Sequence, residues 1–203
     1  MTDDLDDVNT VVYGLKMNSR LSKENWLDHG LKILATKGPD ALKADVLAKL
    51  LKVSRGSFYW HFKDIGQFHD ELLARWRKLA TDEIIITVDQ KLTAAERLRL
   101  LMHTALMGDE KLERGIRSWA AQNTNAARAI TSVDKARVRY LQDVLKLAGL
   151  SNTDASMRAT FIYWAYIGRV MVGKGSQRLN KDEISVLADV MLSDDRSNAS
   201  LIC

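Results

Sequence analysis

Apolar residues recur along most of this chain at intervals of three and four, the spacing that lines one face of a helix. Leu27, Gly30, Leu31 and Leu34 begin the pattern, with Ser22 suited to an N-cap, Glu24 to the positive end, and Gly38-Pro39 to stop the turn. Leu47, Leu50 and Leu51 mark a second short helix from about Ala44, and Ser54 can cap a third that runs to about His61. Asp64 with Gln67 three residues on has the form of a capping box. Phe68, Leu72, Trp76 and Leu79 then stripe one long helix to about Ile86. Further helices are predicted near 94–107, 110–121, 126–148, 154–172 and 181–192, broken at Gly108-Asp109, Gly149 to Asn152 and Gly173 to Ser176. The β-branched run Ile84 to Ile86 reads as the end of a helix, not as an isolated strand. The expectation is an all-α fold.

Composition narrows this picture without naming a function. The 203 residues are 46% apolar and 28% charged, as in ordinary globular proteins, and the single proline, Pro39, favours long helices. Cys203 is the only cysteine, so no intramolecular disulfide or multi-cysteine metal site can form. His29, His61, His69 and His103 show no zinc-like pairing, and no metal or cofactor is expected. His69 with Asp70 and Glu71 reads as a solvated helix face. The N-terminus lacks the basic-then-apolar pattern of an export signal, and the apolar stretch Phe161 to Val172 is short and interrupted by Arg169. A cytoplasmic location with no membrane partner is expected. Net charge is +4, yet residues 20–80 alone hold 12 Lys or Arg against 7 Asp or Glu. That excess supports nucleic-acid binding only where a motif stands in the same place.

Such a motif lies at Leu47 to Phe62. Two short helices joined by a tight turn, the second carrying small and polar residues, are what a helix-turn-helix needs to seat a helix in the major groove. Val53 can plug the angle between them, while Ser54, Arg55, Ser57, Tyr59, Trp60, His61 and Lys63 supply hydroxyls, cations and aromatic edges. Gly56 and Ser57 leave room for a phosphate backbone. The run from Val53 to Asp64, VSRGSFYWHFKD, resembles the signature of the tetracycline-repressor-like (TetR) regulators. The resemblance extends back through Gly38, Leu47 and Ala48, and more weakly forward through Ile116 to Ala120, Val133-Asp134, Arg137, Tyr140-Leu141, Gly149 and Arg158-Ala159.

The resemblance implies a helix-turn-helix DNA-binding head over residues 21–66, followed by a regulatory and dimerising helical body over 67–203; the acidic, aperiodic residues 1–20 are expected to form a flexible arm before it. Arg55, Ser57, Tyr59, Trp60 and His61 then become the set facing groove or phosphate, with Lys63 on backbone phosphate and Phe58 and Phe62 turned inward. Trp60 and His61 diverge by about 100° on a helix and cannot both face one groove. Two positions depart from the family pattern. Lys43 stands where a capping Thr or Ser is usual, and Lys52 where the turn usually has Gly, at a cost of about 1 kcal/mol for a left-handed non-glycine residue. Both add positive charge beside DNA.

In the body, Met102, His103, Leu106, Trp119 and Tyr140 are the residues expected to line an effector pocket. The helix through Phe161 to Val172 is apolar almost all round, and Ala165 and Gly168 permit close approach. Phe161, Trp164, Ala165, Gly168 and Val172, with Leu187 and Met191 of the last helix, are therefore the expected homodimer interface. The resulting expectation is a transcriptional regulator, a repressor that a small molecule releases from double-stranded operator DNA. Two alternatives are a helical ligand-carrier or enzyme whose head does not bind DNA, and a regulator of the same fold without an effector. Nothing resembling a catalytic constellation favours an enzyme.

Overall fold

The computed structural model describes residues 21–89, 92–172 and 178–193; these residues form helices with no strand among them. The acidic arm expected over residues 1–20, the turn expected over Gly173 to Ser176, and Cys203 lie outside the described residues. Three helices make the head: α1 (Lys23–Lys37), α2 (Ala44–Leu50) and α3 (Arg55–His61), with a 3-10 turn at Pro39–Ala41. Next comes α4 (Ile65–Arg77), a π-turn (Lys78–Asp82) and α5 (Glu83–Asp89), which follow one another without a break. The rest is α6 (Ala94–Met107), α7 (Lys111–Ala120), α8 (Thr124–Leu147), α9 (Asn152–Val172) and α10 (Lys181–Leu192).

Local chemistry sets these boundaries. Ser22 and Asn25 form a reciprocal capping box at α1, and Thr93 with Glu96 does the same at α6. At α4, Asp64 accepts from the Gln67 amide at 2.8 Å, but the Gln67 side chain accepts from Lys63 at 2.7 Å, one residue earlier than a capping box requires. Ser54 occupies the N-cap of α3 with extended backbone, yet its hydroxyl makes no capping bond; Lys43 at α2 makes none either. The ends of α2 and α8 are built alike. Val53 donates to Ala48 and Lys52 to Lys49, while Leu150 donates to Leu145 and Gly149 to Lys146, the paired bonds of a Schellman motif. The left-handed residue is Gly149 in one case and Lys52, at φ 55°, in the other.

One departure from the expected helices bears on everything that follows. The long helix after the head runs to Asp89 and widens into a π-turn at Lys78–Asp82. A π-turn releases backbone carbonyls from the ordinary ladder, and here Arg137 of α8 donates to Ala80 O at 3.0 Å and to Thr81 Oγ1 at 3.1 Å. That partner lies 56 positions away in sequence, so helical periodicity could not reveal it.

The head packs around aromatics. Trp26 meets Phe58 edge-on at 5.4 Å between ring centroids, and Phe62 meets Phe68 at 5.0 Å; all four are buried. This core does not end at the head, for Leu72 and Trp76 of α4, Ile116 and Trp119 of α7, and Ala126 and Val133 of α8 belong to it. A second core, with Leu98, Leu145, Ala159 and Ile184, holds α6, α8, α9 and α10 together. Two glycines permit the close approaches. A Cβ on Gly30 would meet Phe68 Cζ at 2.7 Å, and one on Gly115 would meet the Leu34 carbonyl oxygen at 2.9 Å.

Gly115 therefore sets the distance between body helix α7 and head helix α1. Because the obstructing atom is backbone, Gly115→Ala is expected to cost about 1–3 kcal/mol in urea unfolding, the usual penalty for overpacking. An unchanged midpoint would show that the two helices part without loss.

Candidate functional site

The outward face of α3 is the first part of the site. Phe58 and Phe62 point into the aromatic core and fix the helix, leaving Tyr59 half-exposed and Trp60 80% exposed. So large an apolar ring left in water has no packing reason in the head. Arg55 pairs with Asp45 of α2 at 2.9 Å, donates to Tyr59 Oη at 3.3 Å and lies over the Tyr59 ring. Both ions are about two-thirds exposed (63% and 68%), so water screens the pair and it yields readily to a phosphate. Lys43, Lys52, Ser54 and Lys63 are exposed around the same face, and Ser57 is half-buried. His61 is placed differently from the other expected contacts. Its Nε2 lies 2.8 Å from Leu21 O, which engages the ring with the chain entering α1.

A cavity of about 240 Å³ is the second part. It opens between Trp76 of α4, the π-turn, α5, α6, α7, α8 and α9; Ile84, Ile85, Leu101, Met102 and Leu106 are among its apolar walls. Its polar wall is a network of ion pairs. Glu113 is buried between Arg117 at 2.8 Å and Arg137 at 3.2 Å, and Arg117 also reaches Asp134 at 2.7 Å. Tyr163 donates to the same Asp134. Burial lowers the pKa of Arg137, but Glu113, Tyr166 and Tyr163 together outweigh it and the net shift is upward; for Arg117, burial is likewise outweighed by Asp134, Glu113 and Tyr163 together. Burial first, with neighbouring carboxylates, raises Tyr140, Tyr163 and Tyr166, so all three stay neutral.

The expected pocket residues divide. Met102, Leu106 and Tyr140 lie on this wall, whereas His103 and Trp119 do not. Trp119 sits in the shared head core, 4.9 Å edge-on from His69, because the approach at Gly115 turns the Ile116 and Trp119 side of α7 toward the head. His69 is accordingly not on a solvated face; its Nε2 lies 2.9 Å from Leu42 O. The expected interface residues gather on one side of the body. Phe161, Trp164 and Val172 are more than half exposed, and a Cβ on Gly168 would meet nothing within 4 Å. Phe161, Ala165, Gly168, Val172, Leu187 and Met191 line a second hollow of about 290 Å³ between α9 and α10. Among the described residues, no helix is long and apolar enough to cross a membrane.

Residues 27–72 match the family model for bacterial regulatory proteins of the tetR family. The head of this chain is thus similar to that of the tetR family over this segment. A curated relative, the HTH-type transcriptional regulator AcrR of Shigella flexneri, is 29% identical over 105 residues, covering 43% of this chain. The match spans about half (49%) of that relative's length. Among solved structures, a transcriptional regulator from Saccharomonospora viridis in complex with choline has a TM-score of 0.66 at 17% identity, covering 85% of this chain and 96% of that one. AibR in complex with isovaleryl coenzyme A and operator DNA has a TM-score of 0.61 at 18% identity, covering 86% and 96%. At such identities the likeness concerns the fold alone. It extends the tetR-type architecture from the head through the body.

Sequence reading missed the charged wall of the cavity. Among the described residues, Glu110 and Glu113 are the two buried carboxylates, three residues apart at the start of α7. Arg114 and Arg117, each four residues after one of them, were a legible helical signal; the additional partners Arg137 and Arg169 come from other helices. Burial raises the pKa of Glu110, but its own backbone amide, then Arg169, Arg114 and Arg178, outweigh this and hold it below the ordinary 4.5. A carboxylate lowered by folding stabilises above its unfolded pKa and loses that contribution as pH falls through the folded one. Glu110→Gln is therefore expected to be less stable than wild type at neutral pH, with the difference narrowing below about pH 4.5 in thermal unfolding. A difference independent of pH would reject the ion-pair role of Glu110.

Proposed function

We propose that this chain is a sequence-specific DNA-binding transcriptional regulator that acts as a homodimer, a repressor released from its operator by a small molecule held in the body. The observation that carries the reading is the division of α3. Phe58 and Phe62 are sealed in the core, and Arg55, Tyr59 and Trp60 are presented outward beside Lys43, Lys52 and Lys63. A rigid helix with aromatic edges and surrounding cations fits the major groove and its flanking phosphates. Residues 21–66 would act as the reading head and 67–203 as the regulatory body. Relatives of this fold in complex with choline, or with an acyl-CoA and operator DNA, support effector and DNA binding as a pair of functions.

The test is fluorescence anisotropy with DNA flanking the chain's own gene, titrated at several salt concentrations. Lys63→Ala is expected to weaken all sequences alike and to reduce the salt slope by about 1, while Tyr59→Ala costs about 1–3 kcal/mol and alters sequence preference. Full-strength binding by both variants would remove the groove assignment.

Dimerisation is assigned to the exposed side of α9 and α10, where Trp164 stands 67% exposed. Two heads related by a twofold axis would meet successive major grooves roughly 34 Å apart, on a nearly palindromic site. Gly168→Arg is expected to shift sedimentation from dimer to monomer and abolish tight operator binding while helical content stays unchanged. A stable wild-type monomer that still binds tightly would overturn this assignment.

A further inference from the structure

The charge state of the effector can be read from the wall of the body cavity. Five charged side chains lie on that wall: Asp109, Glu110, Glu113, Arg137 and Arg169. Each has an ionic partner within the chain. Asp109 pairs with Lys111 at 3.4 Å, Glu110 with Arg169 at 3.4 Å and with Arg114 at 3.3 Å, and Glu113 with Arg137 at 3.2 Å and with Arg117 at 2.8 Å. Arg169 also donates to Gly108 O at 2.7 Å and to Ala105 O at 3.3 Å, and Arg137 to Ala80 O at 3.0 Å and Thr81 Oγ1 at 3.1 Å, so three of the five N–H groups of each are engaged within the chain.

A charged ligand in such a place needs a counter-ion, and taking Glu110, Glu113, Arg137 or Arg169 would strip a buried partner from an existing pair, which is strongly destabilising, while the more exposed Asp109 is screened by water and offers little. Leaving the ligand's charge unpaired costs its hydration instead. The tyrosines offer no additional charge. Tyr140 donates to Asp89 Oδ1 at 2.7 Å and keeps lone pairs with which to accept. Most of the remaining wall is aliphatic or aromatic, with Trp76, Ile85, Leu101 and Met102 facing the space. Its volume of about 240 Å³ lies below the roughly 300–1,000 Å³ of drug-sized sites, so the occupant is compact.

We infer that this cavity takes a compact, electrically neutral, largely apolar molecule, such as a small aromatic alcohol, in preference to an anion or a cation of the same shape. This rests on the reading of the body as an effector-binding module, and it sets the ligand class apart from the cation and the acyl-CoA held by the two related structures.

The experiment uses three naphthalenes of matched size: neutral 1-naphthalenemethanol, anionic 1-naphthoate and cationic 1-naphthylmethylammonium. Each is titrated calorimetrically into the full chain and into Ile85→Trp and Leu101→Trp, two independent substitutions that fill the cavity, with circular dichroism melts to establish that each variant is folded. The alcohol is expected to bind once per chain, each charged probe at least tenfold more weakly, and binding of the alcohol to be lost in whichever filled variants fold. A charged probe that binds as tightly as the alcohol, and is likewise lost on filling, would overturn neutrality while leaving the cavity a ligand site. Failure of all three probes to bind wild type, or binding indifferent to filling in folded variants, would instead remove the effector reading itself, and neutrality with it.

Discussion

The contact between α1 and α7 at Gly115 determines how this molecule is put together. With only a hydrogen at that position, α7 lies against the backbone of Leu34, and Ile116 and Trp119 enter the core that Trp26, Phe58, Phe62 and Phe68 began. Head and body consequently share apolar surface in place of a solvated linker. At about 25 cal/mol per Å² of apolar surface removed from water, separating them would expose several large side chains and cost much of a domain's net stability. Head orientation is therefore tied to whatever moves α4 and α7.

Arg137 supplies the other half of that tie. From α8 its guanidinium reaches Ala80 and Thr81 in the π-turn and Glu113 on α7, and it lies 5.7 Å from the ring centres of both Trp76 and Tyr166. A buried ion pair of this kind is weak evidence for stability, since desolvation offsets much of the attraction. Its effect here is geometric. Arg137 fixes the widened turn of the helix leading from the head at the point where that helix borders the cavity. Ala80 and Thr81 line the cavity, and α4 leads from this turn back to Phe68, which packs on Phe58 at the base of α3.

The outward face of α3 depends on that same base. Trp60 can remain in water, and Arg55 can rest on Asp45 and Tyr59, because Phe58 and Phe62 supply the apolar burial that holds a helix of only seven residues in place. The exposed positions are thus left free to be chosen for what they touch. Lys52 illustrates the compromise, for it accepts a left-handed backbone that Gly149 adopts without cost at the end of α8, and in return it places a cation next to α3.

Helical spacing, caps and turn residues along the chain were enough to determine an all-helical protein, the position of each described helix to within a few residues, and the helix-turn-helix, while the outward Arg55, Tyr59 and Trp60 followed from the family resemblance of the run Val53 to Asp64. The helices are legible because each depends on neighbours three or four residues apart. Exposure of Phe161, Trp164 and Val172 was likewise signalled by a helix apolar on more sides than its own body could cover. Tertiary structure alone decided that Trp119 and His69 close the head against the body, that His61 holds Leu21, and that Arg137 draws open a π-turn to form the cavity wall. Each of those joins residues 40 to 57 positions apart. Their pairing depends on how closely the helices approach, a distance set by small residues such as Gly30 and Gly115, which look alike in a sequence whether they end a turn or admit a neighbour.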